Sequence, residues 1–221
     1  MKFLKLKKVP VVPWSSPQPL NLRPGLSTLF YLCVGLSVFG LGEAALVSAS
    51  AGVSPWTVLA EGVGRVAGVN LGLATLLVSV CVLLLWIPLK QTPGFGTVAN
   101  ALIVSLVIEL SVRVLPQPEA IALQLAQAVA GVLLVGLGSG IYLVANLGPG
   151  PRDGLMTGLA RRTDFPIAGV RTTLEIAAVS VGWSLGGTIG LGTVLFAFGI
   201  GPAVSLGLYA VGLIFDGADA D

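Results

Sequence analysis

The chain has 221 residues, of which 55% are hydrophobic and only 10% are charged, and its formal net charge is +2. A soluble domain carries about 25% charged residues, so this composition excludes a domain that faces water on all sides. The absence of histidine excludes histidine-based acid–base catalysis, the HExxH zinc site and haem bound through histidine. We therefore predict a non-enzymatic protein without a cofactor, with no nucleic-acid partner, whose main partner is the lipid bilayer.

The first 24 residues form a basic, proline-rich lead. A secretory signal would place an apolar core directly after the lysines and then a cleavage site, whereas here prolines intervene. We interpret residues 1–24 as a disordered cytoplasmic tail whose lysines set the topology. The residues that define it are Lys2, Lys5, Lys7, Lys8, Pro10, Pro13, Pro17 and Arg23.

Six apolar runs follow, most of them about 20 residues long, which is the length that a membrane-spanning helix needs. Two polar breaks at residues 52–69 and 148–166 interrupt them, and glycines and prolines in 148–154 predict that no continuous helix passes through Gly154. The expected fold is all-α, with one transmembrane domain over residues 25–215 and an acidic tail at 216–221. The runs cover about residues 26–48, 71–89, 95–115, 121–145, 168–185 and 191–215.

The two halves of this domain resemble each other at a constant offset of 96 positions. Residues 26–115 form repeat A and residues 121–215 form repeat B, each with three runs and one broken element. The register holds without a gap through the breaks and on both sides of them, which predicts an internal duplication. Matched pairs include Gly35 with Gly131, Pro55 with Pro151, Arg65 with Arg161, and Thr97 with Thr193.

The placement of lysine and arginine predicts the orientation of the chain. With the amino terminus inside, Arg65 and Arg113 lie outside and the other ten of the 12 positive residues lie in the cytoplasm. The carboxyl terminus is then cytoplasmic as well. Because each repeat has an odd number of spans, repeat B is inverted relative to repeat A. Inverted repeats recur in secondary transporters, although architecture alone does not establish function.

The broken elements resemble those of the YczE/YyaS/YitT group of bacterial integral membrane proteins. The similar stretches are Gly-Val-Ser-Pro-Trp at 52–56, Gly-Pro-Gly-Pro-Arg-Asp-Gly-Leu at 148–155, Arg-Thr-Thr-Leu-Glu at 171–175 and Gly-Trp-Ser-Leu-Gly-Gly-Thr at 182–188. The resemblance covers nearly the whole chain after residue 24 and implies a bare, YczE-like membrane domain in the bacterial plasma membrane, presumed to transport a solute. In the first break, Thr57 stands where the resemblance implies an aspartate in many relatives. The carboxylate of this motif is therefore present only in the second break, as Asp153.

Ionisable residues within the apolar runs are the best pointers to a site, because charge is costly in hydrocarbon. Glu43 has no positive residue three or four positions away, so it needs a partner on another helix, water or a proton, and it is a candidate proton or cation site. Arg171 and Glu175 are four residues apart and can pair on one helix face, and both are further site candidates. The same spacing predicts pairing of Glu61 with Arg65 and of Glu109 with Arg113.

The second break is a candidate anion site. A glycine-rich turn that leads into a helix exposes backbone amides, and the amino end of a helix favours negative charge. The backbone amides at Gly150 and the Arg152 side chain would there hold the carboxylate or phosphate of a small solute, and the adjacent Asp153 is a further site candidate. The alternative is that Arg152, Arg161 and Arg162 are only the positive residues expected on a cytoplasmic loop. Trp56 in the first break is a candidate wall of a pocket.

Glycine and tryptophan elsewhere are given structural roles. Small residues let transmembrane helices approach closely. Tryptophan near the end of a span is typical of an interfacial anchor, which we expect for Trp14, Trp86 and Trp183 and, as the alternative to a pocket wall, for Trp56. Cys33 and Cys81 lie in apolar runs and are expected to pack as small hydrophobes. The glycines expected at close helix contacts are Gly131, Gly136, Gly138, Gly140, Gly199, Gly201 and Gly207.

These observations favour a secondary transporter or permease for a small solute that carries an anionic group. The alternative is a membrane partner or assembly protein that transports nothing, and assembly into a homo-oligomer is compatible with either role. Substitution of Asp153 or Glu43 separates the two functions, because a transporter loses flux whereas an assembly protein loses the abundance of its partner.

Overall fold

The computed structural model describes residues 9–216, and these form eight α-helices and no β-strand. The all-α prediction is therefore confirmed for them. Each predicted apolar run coincides with a helix, and each break contains one further, shorter helix. The helices are α1 (Leu26–Ser48), α2 (Pro55–Ala67), α3 (Leu71–Trp86), α4 (Phe95–Val112), α5 (Ile121–Val144), α6 (Pro151–Thr163), α7 (Ile167–Ser184) and α8 (Leu191–Asp216).

The chain is a multi-pass membrane protein. Helices α1, α4, α5 and α8 are long and apolar enough to cross a bilayer, and α2 with α3 is a fifth candidate that is bent by 110° at its break. α3 has only 16 residues, and α7 carries Arg171 and Glu175 in its first half. Large apolar side chains such as Phe198, which is 81% exposed, face outward as lipid contact requires. Length and composition thus indicate four or five crossings, against the six predicted.

The helices pack as two groups with matching contacts. The long helices pack in the order α4, α1, α5 and α8, while α2 and α6 each pack against both α3 and α7. A shift of 96 positions carries α1 to α5, α2 to α6, α3 to α7 and α4 to α8. Under this shift the pair α1–α4 becomes α5–α8, and the pair α2–α7 becomes α6–α3. These contacts match between the two halves, but α3 also packs against α4, and the equivalent pair α7–α8 makes no comparable contact in the described part of the chain.

Glycines bring α1 and α5 together at the centre of the long helices. A Cβ added at Gly35 would lie 2.7 Å from the backbone nitrogen of Tyr142, and one added at Gly42 would lie 2.6 Å from that of Val135. The prediction of a close helix contact is wrong for Gly201, because nothing lies within 4 Å of a Cβ added there. A Cβ added at Gly199 would meet only the Val132 side chain, at 3.1 Å. The prediction is confirmed, by collision of an added Cβ with neighbouring backbone, at Gly131, Gly136, Gly138, Gly140 and Gly207.

Each break turns sharply and then enters a short helix that begins with proline. Gly52 and Gly148 have φ angles of +105° and +104°, which glycine adopts without strain. α2 begins at Pro55 and α6 at Pro151. The prediction that no helix passes through Gly154 is wrong, because a proline in the first turn opens a helix rather than interrupting it.

Trp86 fixes α6 against α3. Its ring lies against Gly154, where an added Cβ would collide with it, and its Nε1 donates a hydrogen bond to the Pro151 carbonyl at 3.0 Å. The expectation of an interfacial anchor is wrong for Trp86 and Trp14, which are buried. Trp183, by contrast, is 66% exposed.

The amino-terminal lead packs on the helices from residue 9 onwards. Val12 and Trp14 are buried, the Trp14 carbonyl accepts a hydrogen bond from Thr28 Oγ1 at 2.7 Å, and the Ser16 amide donates to the Ala145 carbonyl at 3.1 Å. The prediction of disorder is therefore wrong for residues 9–24, because their apolar side chains cover α1 and the end of α5. The four lysines, and the acidic tail after α8, lie outside the described residues.

The connections between helices gather at the two ends of the long helices. At one end the start of α4 meets the end of α5, where the Gly96 amide donates to the Leu147 carbonyl at 2.7 Å. At the other end the start of α8 meets the end of α1, where the Gly192 amide donates to the Ala51 carbonyl, also at 2.7 Å. The two hydrogen bonds are equivalent under the shift of 96 positions.

Candidate functional site

A cavity of about 300 Å³ lies between the helices and is lined by both halves of the sequence. Phe39 of α1, Val104 of α4, Val135 of α5 and Ile200 of α8 give it apolar walls midway along the long helices. The charged part of its lining comes from α6 and α7. Six of the seven residues singled out from the sequence line it, namely Trp56, Gly150, Arg152, Asp153, Arg171 and Glu175.

Arg152 reaches from the first turn of α6 to the first turn of α2. Its guanidinium carbon lies 5.5 Å from the centre of the Trp56 ring, and such stacking holds a planar guanidinium in place while leaving its edges free. The Arg152 side chain is 23% exposed. Among the residues that the structure describes, its guanidinium donates no hydrogen bond. Its N–H groups are therefore free to bind a ligand in the cavity.

Glu43 is fully buried in α1 beside Arg152. Its Oε2 accepts hydrogen bonds from Ser54 Oγ at 2.7 Å and Thr57 Oγ1 at 2.8 Å, and its Oε1 lies 3.8 Å from Arg152 Nη1. The partner expected from outside α1 is thus supplied by three groups. Within residues 9–216 no donor bonds Oε1, so Glu43 attracts Arg152 by charge without occupying its N–H groups.

Asp153 follows Arg152 and faces α5. Its Oδ2 accepts a hydrogen bond from the Tyr142 hydroxyl at 2.8 Å. A carboxylate in the first turn of a helix is also favoured by the helix dipole, which gives Asp153 a structural role in addition to its place in the lining. Tyr142 was missed from the sequence because nothing in the sequence around it marks it as a partner of Asp153.

Arg171 and Glu175 add a second pair of opposite charges to the lining. Arg171 Nε donates to Glu175 Oε1 at 2.9 Å, as their spacing predicts. The charged residues of the lining are therefore two arginines and two carboxylates. Gly150 leaves room for a neutral polar neighbour, because a Cβ added there would lie 3.3 Å from Asn100 Nδ2.

The other charged pairs lie outside the cavity lining. Glu109 pairs with Arg113, as predicted. Glu61 accepts a hydrogen bond from the Thr188 amide at 2.7 Å and ties α2 to the connection after α7. The charge of Arg65 acts on the Glu61 carboxylate, but the two side chains form no salt bridge in the described part of the chain. No group of three or more cysteine, aspartate or glutamate residues within residues 9–216 is arranged to hold a metal ion.

Several neutral polar residues of the cavity region were not predicted. Thr75, Ser79, Asn100 and Ser139 line the cavity, and the buried Thr75 Oγ1 has no hydrogen-bond partner in the described part of the chain. The repeat could have identified Ser139, because it occupies the position 96 residues after Glu43. Thr75 and Ser79 carry the same signal, because they lie 96 residues before Arg171 and Glu175, whereas Asn100 lies 96 residues before Phe196 and carries none.

Comparison with known protein families finds a match that includes all residues of the cavity lining. The profile of a family of unknown function (DUF6198) matches residues 26–208, which include all seven predicted site residues. The chain belongs to this family. The DUF6198 protein is 39% identical over 199 residues to an uncharacterized protein of Haemophilus influenzae, covering 90% of this chain and 91% of the relative.

A second relative connects the DUF6198 protein to the group that it resembles. It is 28% identical over 170 residues to the uncharacterized membrane protein YczE of Bacillus subtilis, covering 76% of this chain and 79% of YczE. The predicted YczE-like membership is therefore confirmed, and so is its nature as a membrane protein. No solved structure matches the DUF6198 protein.

Proposed function

We propose that the DUF6198 protein is a secondary transporter of the bacterial plasma membrane that binds a small solute carrying an anionic group. The observation that carries this proposal is the cavity between Arg152 and the apolar middle of the long helices. A guanidinium that is mostly buried, stacked on Trp56 and free of hydrogen bonds among the described residues is suited to a carboxylate or phosphate oxygen.

Two helix ends strengthen the case for an anionic group. Trp56 and Arg152 occupy the second positions of α2 and α6, so the amino end of each helix borders the cavity. The dipole of a helix favours negative charge at that end. In transporters built from repeats, short helices whose amino ends point at the solute near the middle of the membrane are a recurring arrangement.

The matching contacts of the two halves support a duplicated architecture with six crossings. In this arrangement α3 and α7 cross the membrane as shorter helices, and α2 and α6 enter it from opposite sides. The equivalent turns at Gly52 and Gly148, with the same φ to within a degree, fit such a pair of inverted elements. An inverted pair around one cavity is the arrangement that alternating access requires.

The charge distribution supports a cytoplasmic location for both termini. Arg23, Lys90, Arg161 and Arg162 lie near the end of the long helices where α4 meets α5, and Arg65 and Arg113 lie toward the other end. Positive residues favour the cytoplasmic side. We therefore assign the first end to the cytoplasm. Since the sequence contains no histidine, we propose no catalytic role.

The test of transport uses the full chain reconstituted in liposomes. Solute-induced currents or uptake are measured for a panel of small carboxylates, phosphates and amino acids. We expect at least one solute to enter through the unmodified protein and through the Arg113→Gln variant, which changes an arginine outside the cavity, but not through Arg152→Gln.

Absence of uptake for the whole panel would contradict the proposal. In cells, an Arg152→Gln variant that restores every defect of a deletion strain would also contradict it. Loss of one other membrane protein in the deletion strain, restored by that variant, would instead support the role of an assembly partner.

A further inference from the structure

We infer that the cavity binds a zwitterion, a small molecule that carries a carboxylate and an ammonium group on an apolar body, such as an apolar α-amino acid. This inference rests on the proposed function, because it names the solute class for the same cavity. The sequence predicted an anionic solute on the basis of Arg152. The present inference restricts that prediction to solutes that also carry a positive group.

The balance of charge disfavours a simple anion. Arg152 and Arg171 face the cavity, but so do Asp153 and Glu175, and Glu43 lies 3.8 Å behind Arg152. Three carboxylates therefore surround two guanidinium groups. An anion bound at Arg152 would meet repulsion from these carboxylates, whereas a solute with a second, positive group would gain attraction from them.

The charged side chains of the cavity lining differ in whether they are paired with one another. Arg171 Nε donates to Glu175 Oε1 at 2.9 Å, so the charges of these two residues neutralise each other. The Arg152 guanidinium donates no hydrogen bond among the described residues, and only Oδ2 of Asp153 accepts one there, from Tyr142. Arg152 and Asp153, adjacent residues at the amino end of α6, form no ion pair with another residue of the described lining. A carboxylate at Arg152 and an ammonium at Asp153 Oδ1 would complete both.

The remainder of the cavity fits an apolar body with a few neutral polar contacts. Phe39, Val104, Phe196 and Ile200 supply apolar side chains, and about 300 Å³ is a volume suited to a small molecule. The buried Thr75 Oγ1, which has no partner in the described part of the chain, gives one more polar position. Small-molecule sites commonly combine apolar walls with a few convergent polar groups.

A matched set of ligands tests the inference on the unmodified protein. L-Leucine, 4-methylpentanoate and 3-methylbutylamine share one branched skeleton and differ only in carrying both charged groups, the carboxylate alone or the ammonium alone. Their binding to the purified full chain in lipid nanodiscs is measured by thermal shift and titration calorimetry, with L-alanine and L-phenylalanine added to vary the apolar body. We expect at least one amino acid to bind, and L-leucine to bind at least about tenfold more tightly than either analogue.

Charge-neutralising variants give an independent readout. Arg152→Gln and Asp153→Asn should each weaken binding of the preferred amino acid at least about tenfold. Asp164→Asn, at the carboxyl end of the same helix, and Arg113→Gln repeat these two substitutions outside the cavity and should leave affinity unchanged. The inference would be overturned if the Asp153→Asn variant bound the amino acid as tightly as the unmodified protein or more tightly. If a variant fails to fold, the comparison of the three ligands on the unmodified protein still tests the inference.

The outcomes distinguish the inference from the proposed function. If 4-methylpentanoate binds as tightly as L-leucine and enters liposomes, the inference of a zwitterionic solute is wrong and the proposal of transport stands. If an amino acid binds with the expected preference but no flux follows, the ligand class stands and transport is wrong. If no amino acid of the set binds at millimolar concentration, the inference is overturned.

Discussion

At the scale of residues, the site is organised around one arginine with three different neighbours. Trp56 supports the face of the Arg152 guanidinium, Glu43 supplies charge at 3.8 Å, and Asp153 provides a carboxylate beside it in the same helix turn. None of these takes up the N–H groups of Arg152. Lysine could not replace it, because an ammonium lacks the planar face and the fork of donors.

Because Glu43 and Arg152 form a buried pair, we predict that substitutions at the two positions change the free energy of unfolding non-additively. Arg152→Gln leaves Glu43 buried with two hydroxyl donors but no positive charge, which should destabilise the protein by about 3 kcal/mol. The double variant Glu43→Gln/Arg152→Gln should recover part of this loss, because no charge remains unpaired. Unfolding in detergent by heat or denaturant measures all three variants, with the exposed Arg113→Gln expected within about 0.5 kcal/mol of the unmodified protein. Additive losses would show that the two side chains do not interact.

Thr57 predicts a second coupling with Glu43. The resemblance to the YczE group implies aspartate at this position in many relatives, yet here Thr57 Oγ1 donates to Glu43 Oε2 at 2.8 Å. Thr57→Asp would place two carboxylates against each other without water, and like charges so close cost several kcal/mol. We expect Thr57→Asp to lower the unfolding temperature, Thr57→Ser to leave it nearly unchanged, and Glu43→Gln to rescue Thr57→Asp. An unchanged unfolding temperature for Thr57→Asp would contradict the contact.

At the scale of helices, the sequence predicts what depends on local composition and misses what depends on distant partners. Apolar runs set the extent of the long helices, so these agree with expectation to within a few residues. The start of α6 was missed because proline permits the first turn and forbids the interior of a helix. The burial of Trp14 was missed because its neighbours, Tyr31 and Phe215, come from helices near both ends of the chain.

The crossing of α1 and α5 predicts a strong effect of a single methyl group. Gly35→Ala would place a Cβ 2.7 Å from the Tyr142 nitrogen and 3.0 Å from the Gly138 carbonyl oxygen, and backbone atoms cannot rotate away. We expect a loss of about 1–3 kcal/mol in the free energy of unfolding. Gly201→Ala is the matched control, because nothing lies within 4 Å of its added Cβ. Equal stability of the two variants would mean that α1 and α5 do not approach in this way.

At the scale of the whole molecule, the order of connections predicts a membrane topology. If α3 and α7 cross as well as the long helices, exposed positions must alternate between the two sides of the membrane along the chain. Single cysteines are introduced into a protein in which Cys33 and Cys81 are alanine. Suitable positions, each exposed near the end of a helix or between helices, are Val66, Thr92, Gln117, Thr163 and Ile189.

Positions 92 and 163 should react with a membrane-impermeant maleimide only in inside-out vesicles, and positions 66, 117 and 189 only in right-side-out vesicles. The comparison of 66 with 92 tests α3, and that of 163 with 189 tests α7, the two helices that length and composition leave undecided. Labelling of 163 and 189 from one side would mean that α7 does not cross. The two halves would then have the same contacts without opposite orientations, and the cavity could no longer open alternately through inverted elements.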